Sequence, residues 1–422
     1  MNVIDSNMSE RDWREKPVPT FLHPALKEQA RWLPAQPKKT PATPRIAIEA
    51  HRDLDALEAE WLEFQERAVG TFFQTYQWCS AWIATAGAAA GAEPLIVTGR
   101  DPSGELLFLL PFCIRRRSGC RILEWMGGQQ MTYGYGLYDR RFLRHAAAWF
   151  AAEGWAVLAQ LNDVDAIDLA EMPAVWEDHE HPMKSWFSIA GRNFSYVLRL
   201  GHDYETVYAR KRSGETRRGN RKRDAKLFTA AKIEVGSPVD RGATHQLIED
   251  MFEQQSSRLA ESGIHGVFNT HERQFMHRLI DLPDHMQPVL LPYCMKADGE
   301  LEAVALGGLY GGGFWALISS LGSPRLRRYS PGDALLRRTI EACCSRGLRF
   351  FDFSTGSFDY KLAWADESIR LFHAVRGLTW RGYAWALLRC LTLSLKRFIK
   401  RTPFLWNALQ TMRRMFRGQR AN

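Results

Sequence analysis

From Arg45 onward the apolar positions fall into short alternating runs and longer helical stripes, and the order of those runs repeats. Ile46-Ala47-Ile48 reads as a short strand, Leu54 to Ala68 as a helix, and the aromatic run Phe72 to Trp82 as a second helix. Pro94 to Thr98 and Leu106 to Ile114 flank the turn Asp101-Pro102-Ser103-Gly104, which predicts an antiparallel hairpin. A further strand, Arg121 to Met126, precedes a glycine-rich patch. The pattern then starts again with strand-like Phe194 to Leu200, helices over Thr244 to Glu261 and Glu272 to Asp281, and a hairpin of Val289 to Lys296 with Leu301 to Tyr310 turning at Asp298-Gly299. Phe314 to Ser320 adds a third strand, followed by a helix from Pro331 to Gly347 and a buried strand, Leu348 to Phe353. Helices ahead of an antiparallel meander, twice over, predict an α/β fold built from a duplicated unit. The expected organisation is a proline-rich leader (1–44), two units (45–192 and 193–376) and a tail (377–422).

Composition narrows the class. With 422 residues, 45% of them hydrophobic, the chain has enough apolar material for two or three domain cores. Seven cysteines, odd in number, carry no disulfide-framework or metal-ligand spacing, which fits a reducing compartment. The first residues form no apolar signal region, and no run reaches the roughly 18 to 20 apolar residues of a membrane span, so the expected location is the cytoplasm.

The net charge of +9 is unevenly spread. Between Ser368 and Asn422 there are twelve Lys and Arg and no Asp or Glu. Tyr383 to Arg401 reads as a basic amphipathic helix, and Phe404 to Phe416 repeats the pattern after Pro403. Such a tail suits the inner face of a membrane, a synthase embedded in it, or the protein's own core. A second basic segment, Arg210 to Lys226, has nine Lys or Arg in seventeen positions. Its Arg217, Arg218 and Arg221 are candidates for attracting a phosphate-bearing or acidic substrate. Nucleic acid is the weaker reading, because the aromatic residues lie in apolar periodic runs and not among these cations.

The chemistry concentrates between Tyr329 and Glu367. Ser330 is a candidate helix cap, Pro331 suits a first turn, and Gly332 lets a ligand approach the backbone, so the free amides there can hold a phosphate. After the strand ending Phe351-Asp352-Phe353, a Gly-Ser loop delivers Asp359, Tyr360 and Lys361. The loop Tyr133-Gly134-Tyr135-Gly136 offers aromatic faces to a sugar ring. His265, His271, His277 and His285 stand six to eight residues apart and form no helical metal pair, so no metal is expected.

Pro331-Gly332 before a helix, Phe351-Asp352-Phe353 ending a strand, and Gly356 followed by Tyr360-Lys361 resemble the C-terminal half of the CelD-like acetyltransferases, bacterial proteins associated with cellulose and exopolysaccharide synthesis. Phe73-Gln74 through Trp78 and Trp82, Leu110-Pro111-Phe112 with Arg115 to Arg117, the Tyr133 loop and Arg217-Arg218-Gly219-Asn220-Arg221 extend the resemblance over roughly residues 45 to 376. It implies tandem acyl-CoA N-acyltransferase (GNAT) units, each a mixed, largely antiparallel curved sheet flanked by helices, related to FemAB-like transferases. It also implies acyl-CoA, with acetyl-CoA expected, at Arg328, Ser330, Gly332, Asp333 and Ala334. The acceptor would be a saccharide, nucleotide sugar or lipid-linked sugar. The pyrophosphate loop departs from the usual pattern: Tyr329 stands where a basic or amide residue is common, with Arg328 one residue further out.

Acyl transfer needs a base for the nucleophile, stabilisation of the developing oxyanion, and a proton for the departing thiolate. Tyr360 can supply the proton, Lys361 can neutralise a phosphate or the oxyanion, and Asp352 or Asp359 can act as base if burial raises its pKa. Two other readings stay open: a non-catalytic scaffold at a membrane polysaccharide synthase, and an aminoacyl transferase using charged tRNA.

Overall fold

The computed structural model describes residues 46–401, apart from 160, 162, 262–269, 288, 323 and 357. The expected leader and the tail segment Phe404 to Phe416 lie outside the described residues.

The first part of the chain runs β1 (Ala47–His51), α1 (Glu58–Arg67), α2 (Tyr76–Trp82), β2 (Glu93–Arg100), β3 (Leu106–Arg117), β4 (Cys120–Trp125) and β5 (Leu137–Tyr138). It continues with α3 (Arg140–Trp149), α4 (Trp155–Ala159), β6 (Ala166–Pro173), β7 (Val175–Trp176), β8 (His179–Glu180) and β9 (Ile189–Arg199). Then follow α5 (Tyr204–Lys211), α6 (Gly214–Ala230), β10 (Ile233–Gly236), α7 (Arg241–Glu261), α8 (Thr270–Ile280), β11 (Leu290–Ala297), β12 (Glu300–Tyr310) and β13 (Gly313–Leu321). The last elements are α9 (Pro331–Ser345), β14 (Phe350–Thr355), α10 (Asp359–Trp364), β15 (Glu367–Gly377) and α11 (Trp380–Arg401). Local chemistry sets these boundaries. The β11–β12 hairpin turns where Asp298 and Gly299 both adopt positive φ, the geometry of a tight hairpin loop. Asp203 caps α5 and Ser213 caps α6 by accepting amide protons in their first turns.

The two expected units share a single 13-stranded sheet, ordered β1-β2-β3-β4-β6-β15-β9-β14-β13-β12-β11-β10, with β5 added on β3. Pairing is antiparallel except for β4 with β6 and β13 with β14. The expected fold class, α/β with mixed, largely antiparallel sheet flanked by helices, therefore holds. The boundary between the units is corrected: a cut at 192/193 runs through β9, which pairs with β14 and β15. Strand β15 in turn pairs with β6, so the last strand of the chain completes the sheet of the first half. The sequence pattern assigns no element to α3, α4, β6 or β15.

One aromatic core ties the halves together. Tyr133 and Trp176 from the first half pack on Trp315 and Phe350 from the second, with ring centroids 5.0 Å apart for Trp176–Trp315 and 5.6 Å for Tyr133–Trp315. Edge contacts of this kind add about 0.5–1.5 kcal/mol per pair beyond the area they bury.

Candidate functional site

The parallel strands β13 and β14 stay together only from Gly313 to Trp315 opposite Phe350 to Asp352, and then part. Where β13 has left its partner, a cavity of about 360 Å³ opens beside the head of α9. Its floor is apolar, from Ala303 to Ala305 of β12, Leu321 of β13, and Leu335 and Leu336 of α9. Polar groups converge from the rim: Gln255 and Arg258 of α7, Ser319 and Ser320 of β13, Arg327, and Tyr360 of α10. A crevice beyond the carboxyl end of a parallel strand, facing a helix N-terminus, is a common ligand site in α/β sheets.

Ser330 to Asp333, at the head of α9, form one wall. Pro331 begins the helix, so the first amides able to reach a ligand are those of Gly332 and Asp333, whose positions have no intrahelical acceptor. A Cβ on Gly332 would lie 2.8 Å from Leu321 Cδ2, so any side chain there crowds the floor. Ser330 sits in the left-handed region at φ 55° and makes no side-chain cap bond, which corrects its expected capping role and leaves the helix head open to the cavity. Such a conformation in a non-glycine residue costs on the order of 1 kcal/mol or more and is retained only where the surroundings impose it. Asp333 turns back to Arg337, whose other arm donates to Asp224 of α6 at 2.5 Å, so the carboxylate beside the anion site is neutralised within the protein. Ala334 is packed away under Leu326 and Leu335. Arg328 is exposed and lies 4.8 Å over the ring of Tyr329; its neighbour Arg327 lines the cavity instead.

On the other strand Asp352 is fully enclosed. Its Oδ1 accepts from the Ser354 amide at 2.6 Å, and its Oδ2 touches the Tyr133 hydroxyl, which also contacts Ser195 Oγ. With one proton to give, Tyr133 donates to the carboxylate and accepts from Ser195. Burial pushes the Asp352 pKa up to about 7, against the lowering effects of the Tyr133 bond, the Ser354 amide and the charge of Lys361. Ser354, like Ser330, is left-handed, at φ 63°, and its hydroxyl meets Thr132 at 2.9 Å. Lys361 lies in α10, not in a loop, and is buried, with Nζ donating to Thr355 O at 2.8 Å. Its expected contact with a phosphate is corrected accordingly: it braces the end of β14 from behind. Tyr360 borders the cavity and Asp359 is exposed at the start of α10.

Sequence reasoning missed Glu302. It is 4% exposed, its Oε1 has no hydrogen-bond partner among the described residues, and burial raises its pKa to about 7 against the pull of Arg325 and Arg327. A buried acceptor without a partner costs about 1–3 kcal/mol. Glu302 neighbours Ala303 on the cavity floor, and its backbone oxygen accepts from Gly322 at the exit of β13. The signal was present: Glu302 is in phase with Val304 and Leu306, two core positions of the same strand.

Residues 214–362 match the model of the acetyltransferase (GNAT) domain. This stretch, about a third of the chain, is similar to a GNAT acetyltransferase domain. Every cavity wall falls inside it. The chain is similar in fold to the crystal structure of FemX, at 10% identity over 77% of this chain and 97% of that one, with a TM-score of 0.52. It is also similar to the structure of L-PGS from Bacillus licheniformis, at 11% identity over 77% and 92% of the two chains, with a TM-score of 0.46. A tandem GNAT protein from the clavulanic acid biosynthesis pathway matches at 11% identity over 79% and 99%, with a TM-score of 0.40. No curated protein matches the sequence.

The remaining expected substrate residues lie away from the cavity. Tyr133 and Tyr135 have no exposed surface and are core residues, so neither presents a ring face to a sugar. Arg217, Arg218 and Arg221 are on α6, where Arg218 and Arg221 face solvent, and none of the three borders the cavity. The start of that basic segment has a structural task. Arg212 lies 4.3 Å over Trp364 and donates to Ala363 O, and Lys211 donates to Ala365 O, so the two clamp the chain after α10.

Proposed function

We propose that the chain is an acyl-CoA-dependent N- or O-acyltransferase, with acetyl-CoA as donor and a hydroxyl or amine of a cell-surface polysaccharide or its precursor as acceptor. The observation that carries the donor half of this reading is the cavity at the head of α9. Helix amides and Arg327 suit the donor's phosphates, and the apolar floor suits its acyl-bearing arm. The acceptor half rests on the resemblance to CelD-like acetyltransferases, and Gln255 with Arg258 supply polar groups on the α7 side of the cavity for it.

In the proposed reaction the acceptor's nitrogen or oxygen attacks the thioester carbonyl carbon while Glu302, next in the chain to Ala303 of the cavity floor, takes its proton. The carbon–sulfur bond then breaks, and Tyr360 returns a proton to the thiolate. Glu302 is preferred to Asp352 as base because its Oε1 is uncommitted, whereas both Asp352 oxygens are held by Tyr133 and Ser354. Asp352 and Lys361 are positioning groups that fix the end of β14 below Tyr360, and Asp359 heads α10 from the solvent side.

The test is calorimetric titration with acetyl-CoA and longer acyl-CoAs, followed by acyl-transfer assays on amino-sugar and polysaccharide acceptors. Micromolar donor binding that Arg327→Glu weakens, with turnover that Glu302→Gln reduces by about 100-fold or more, is the expected result. Absence of binding to every CoA ester overturns the donor assignment. Donor binding without transfer to any saccharide overturns the acceptor assignment alone.

A further inference from the structure

The basic tail begins with a helix whose two sides differ sharply. The inner side of α11 is locked to the sheet. A Cβ on Gly382 would fall 1.6 Å from Asp165 O, so only glycine permits the close approach there. Thr379 Oγ1 donates to Asp165 at 2.7 Å, Arg389 Nε to Asp168 at 2.7 Å, and Arg381 to Gly119 O at 2.6 Å. The fold's need for an apolar face is met by this side. Yet Trp380, Tyr383, Leu387, Leu388, Leu391 and Leu395 remain between 57% and 81% exposed, one apolar row along the outer side. An exposed row of this size marks a docking surface.

Charge decides what covers it. From Ser368 to Asn422 the chain has twelve Lys and Arg and no acidic residue. A second copy docked on the same row, or residues 402–422 folded back on it, would add only more positive charge to a cationic surface. The complement is an apolar surface that is itself anionic. Trp380 and Tyr383, amphipathic rings at one end of the row, suit the boundary between headgroups and acyl chains. Among the described residues no helix is long and apolar enough to cross a membrane, so the helix would lie on the surface.

We propose that α11 docks the protein on an anionic lipid bilayer, its outer apolar row sunk in the interface and the positive charge of the C-terminal sequence supplying the attraction to anionic lipid. The docking is independent of the donor cavity, so acyl-CoA binding serves as its control.

The experiment is co-sedimentation of the full chain with phosphatidylcholine vesicles, with or without about one third phosphatidylglycerol, at low and high salt. Binding to the anionic vesicles is expected to be about tenfold stronger than to the neutral ones at low salt, and to weaken as salt screens the charges. The double variant Leu387→Ser, Leu391→Ser changes only exposed positions. It should lose about tenfold in vesicle binding with its unfolding temperature and acyl-CoA affinity unchanged. Equal sedimentation of wild type and double variant overturns the proposal. So does a dimer in sedimentation equilibrium that the double variant dissolves, which would assign the row to a second copy. Deleting residues 402–422 should weaken vesicle binding; a rise on deletion would mean that the tail itself covers the row, and overturns the proposal as well.

Discussion

From either edge inward the sheet repeats one pattern: four antiparallel strands, then a parallel pair joined through a helix. In the first half β4 and β6 are the parallel pair and α3 lies between them; in the second half β13, β14 and α9 hold the same places. What fills the gap beyond each pair differs. In the first half the loop Tyr133 to Gly136 is pressed against β6: Gly134 N donates to Glu171 O at 3.0 Å, and a Cβ on Gly134 would lie 2.6 Å from Ala170 O. The head of α3 is closed by its own carboxylate, since Asp139 accepts from the Arg141 amide at 2.8 Å and pairs with Arg67. In the second half no cap bond closes α9, and the gap is the cavity. The repeated strand-and-helix pattern is thus plugged in one half and open in the other. The plug is not idle, because its Tyr133 reaches across to Asp352 and stiffens the wall of the open half.

The largest effect should come from plugging the second half in the same way. Gly332→Val puts branched carbon where a Cβ already meets Leu321 at 2.8 Å, and it should weaken acyl-CoA binding by about 100-fold with little change in unfolding temperature. Asp139→Asn, at the matching helix of the first half, should leave that affinity unchanged. Loss of donor binding from the Asp139 change would break the comparison.

Next in size is the brace. Lys361→Met removes a buried cation that holds Thr355 O and lowers the pKa of Asp352. Loss of one partner from such an arrangement costs about 3 kcal/mol, readable as a lower midpoint in urea unfolding. If stability is unchanged, the wall of the open half does not depend on Lys361.

The carboxyls give a pH signature with a defined sign. Asp352 and Glu302 both have folded pKa values raised to about 7, so each favours the protonated protein. Their contribution to stability is fully present below the ordinary carboxyl range and is lost as pH rises through 7. Unfolding measured at pH 5 and pH 8 should show a drop on the order of 5 kcal/mol, of which Asp352→Asn removes about half. A pH profile identical in the variant would mean that Asp352 is ionised at both pH values.

Much of the open half was legible in the sequence. Glycine and proline punctuate Asp298-Gly299, Gly322 and Pro331-Gly332, and the alternation between them fixes β11, β12, β13 and α9. The parts that were not legible depend on distant neighbours. Strand β15 is defined by pairing with β6 and β9, roughly two hundred residues away for β6, and its own alternation is broken at Phe372 and His373. Arg327 and Arg328 differ only in which way a 3-10 turn from Pro324 to Tyr329 aims them. The Tyr133 loop has the composition of a sugar platform, and only the tertiary fold reveals that β6 and Trp315 cover it.

The smallest predicted effect bears most directly on why one helix head is capped and the other is not. Asp139→Ala should cost about 1 kcal/mol, the usual worth of an N-cap, because two first-turn amides of α3 lose their acceptor. Ser330→Asp is the converse change. Aspartate tolerates the left-handed backbone found at 330, so the fold should accept it, and its carboxylate would then sit at the head of α9 where an anionic ligand is expected to bind. Helix stability should stay level or rise by a few tenths of a kcal/mol, while acyl-CoA affinity falls by about three- to tenfold. Opposite signs for stability and binding would identify the uncapped head as a site kept open for a ligand's charge; a fall in stability with unchanged affinity would mean that Ser330 is there for the backbone alone.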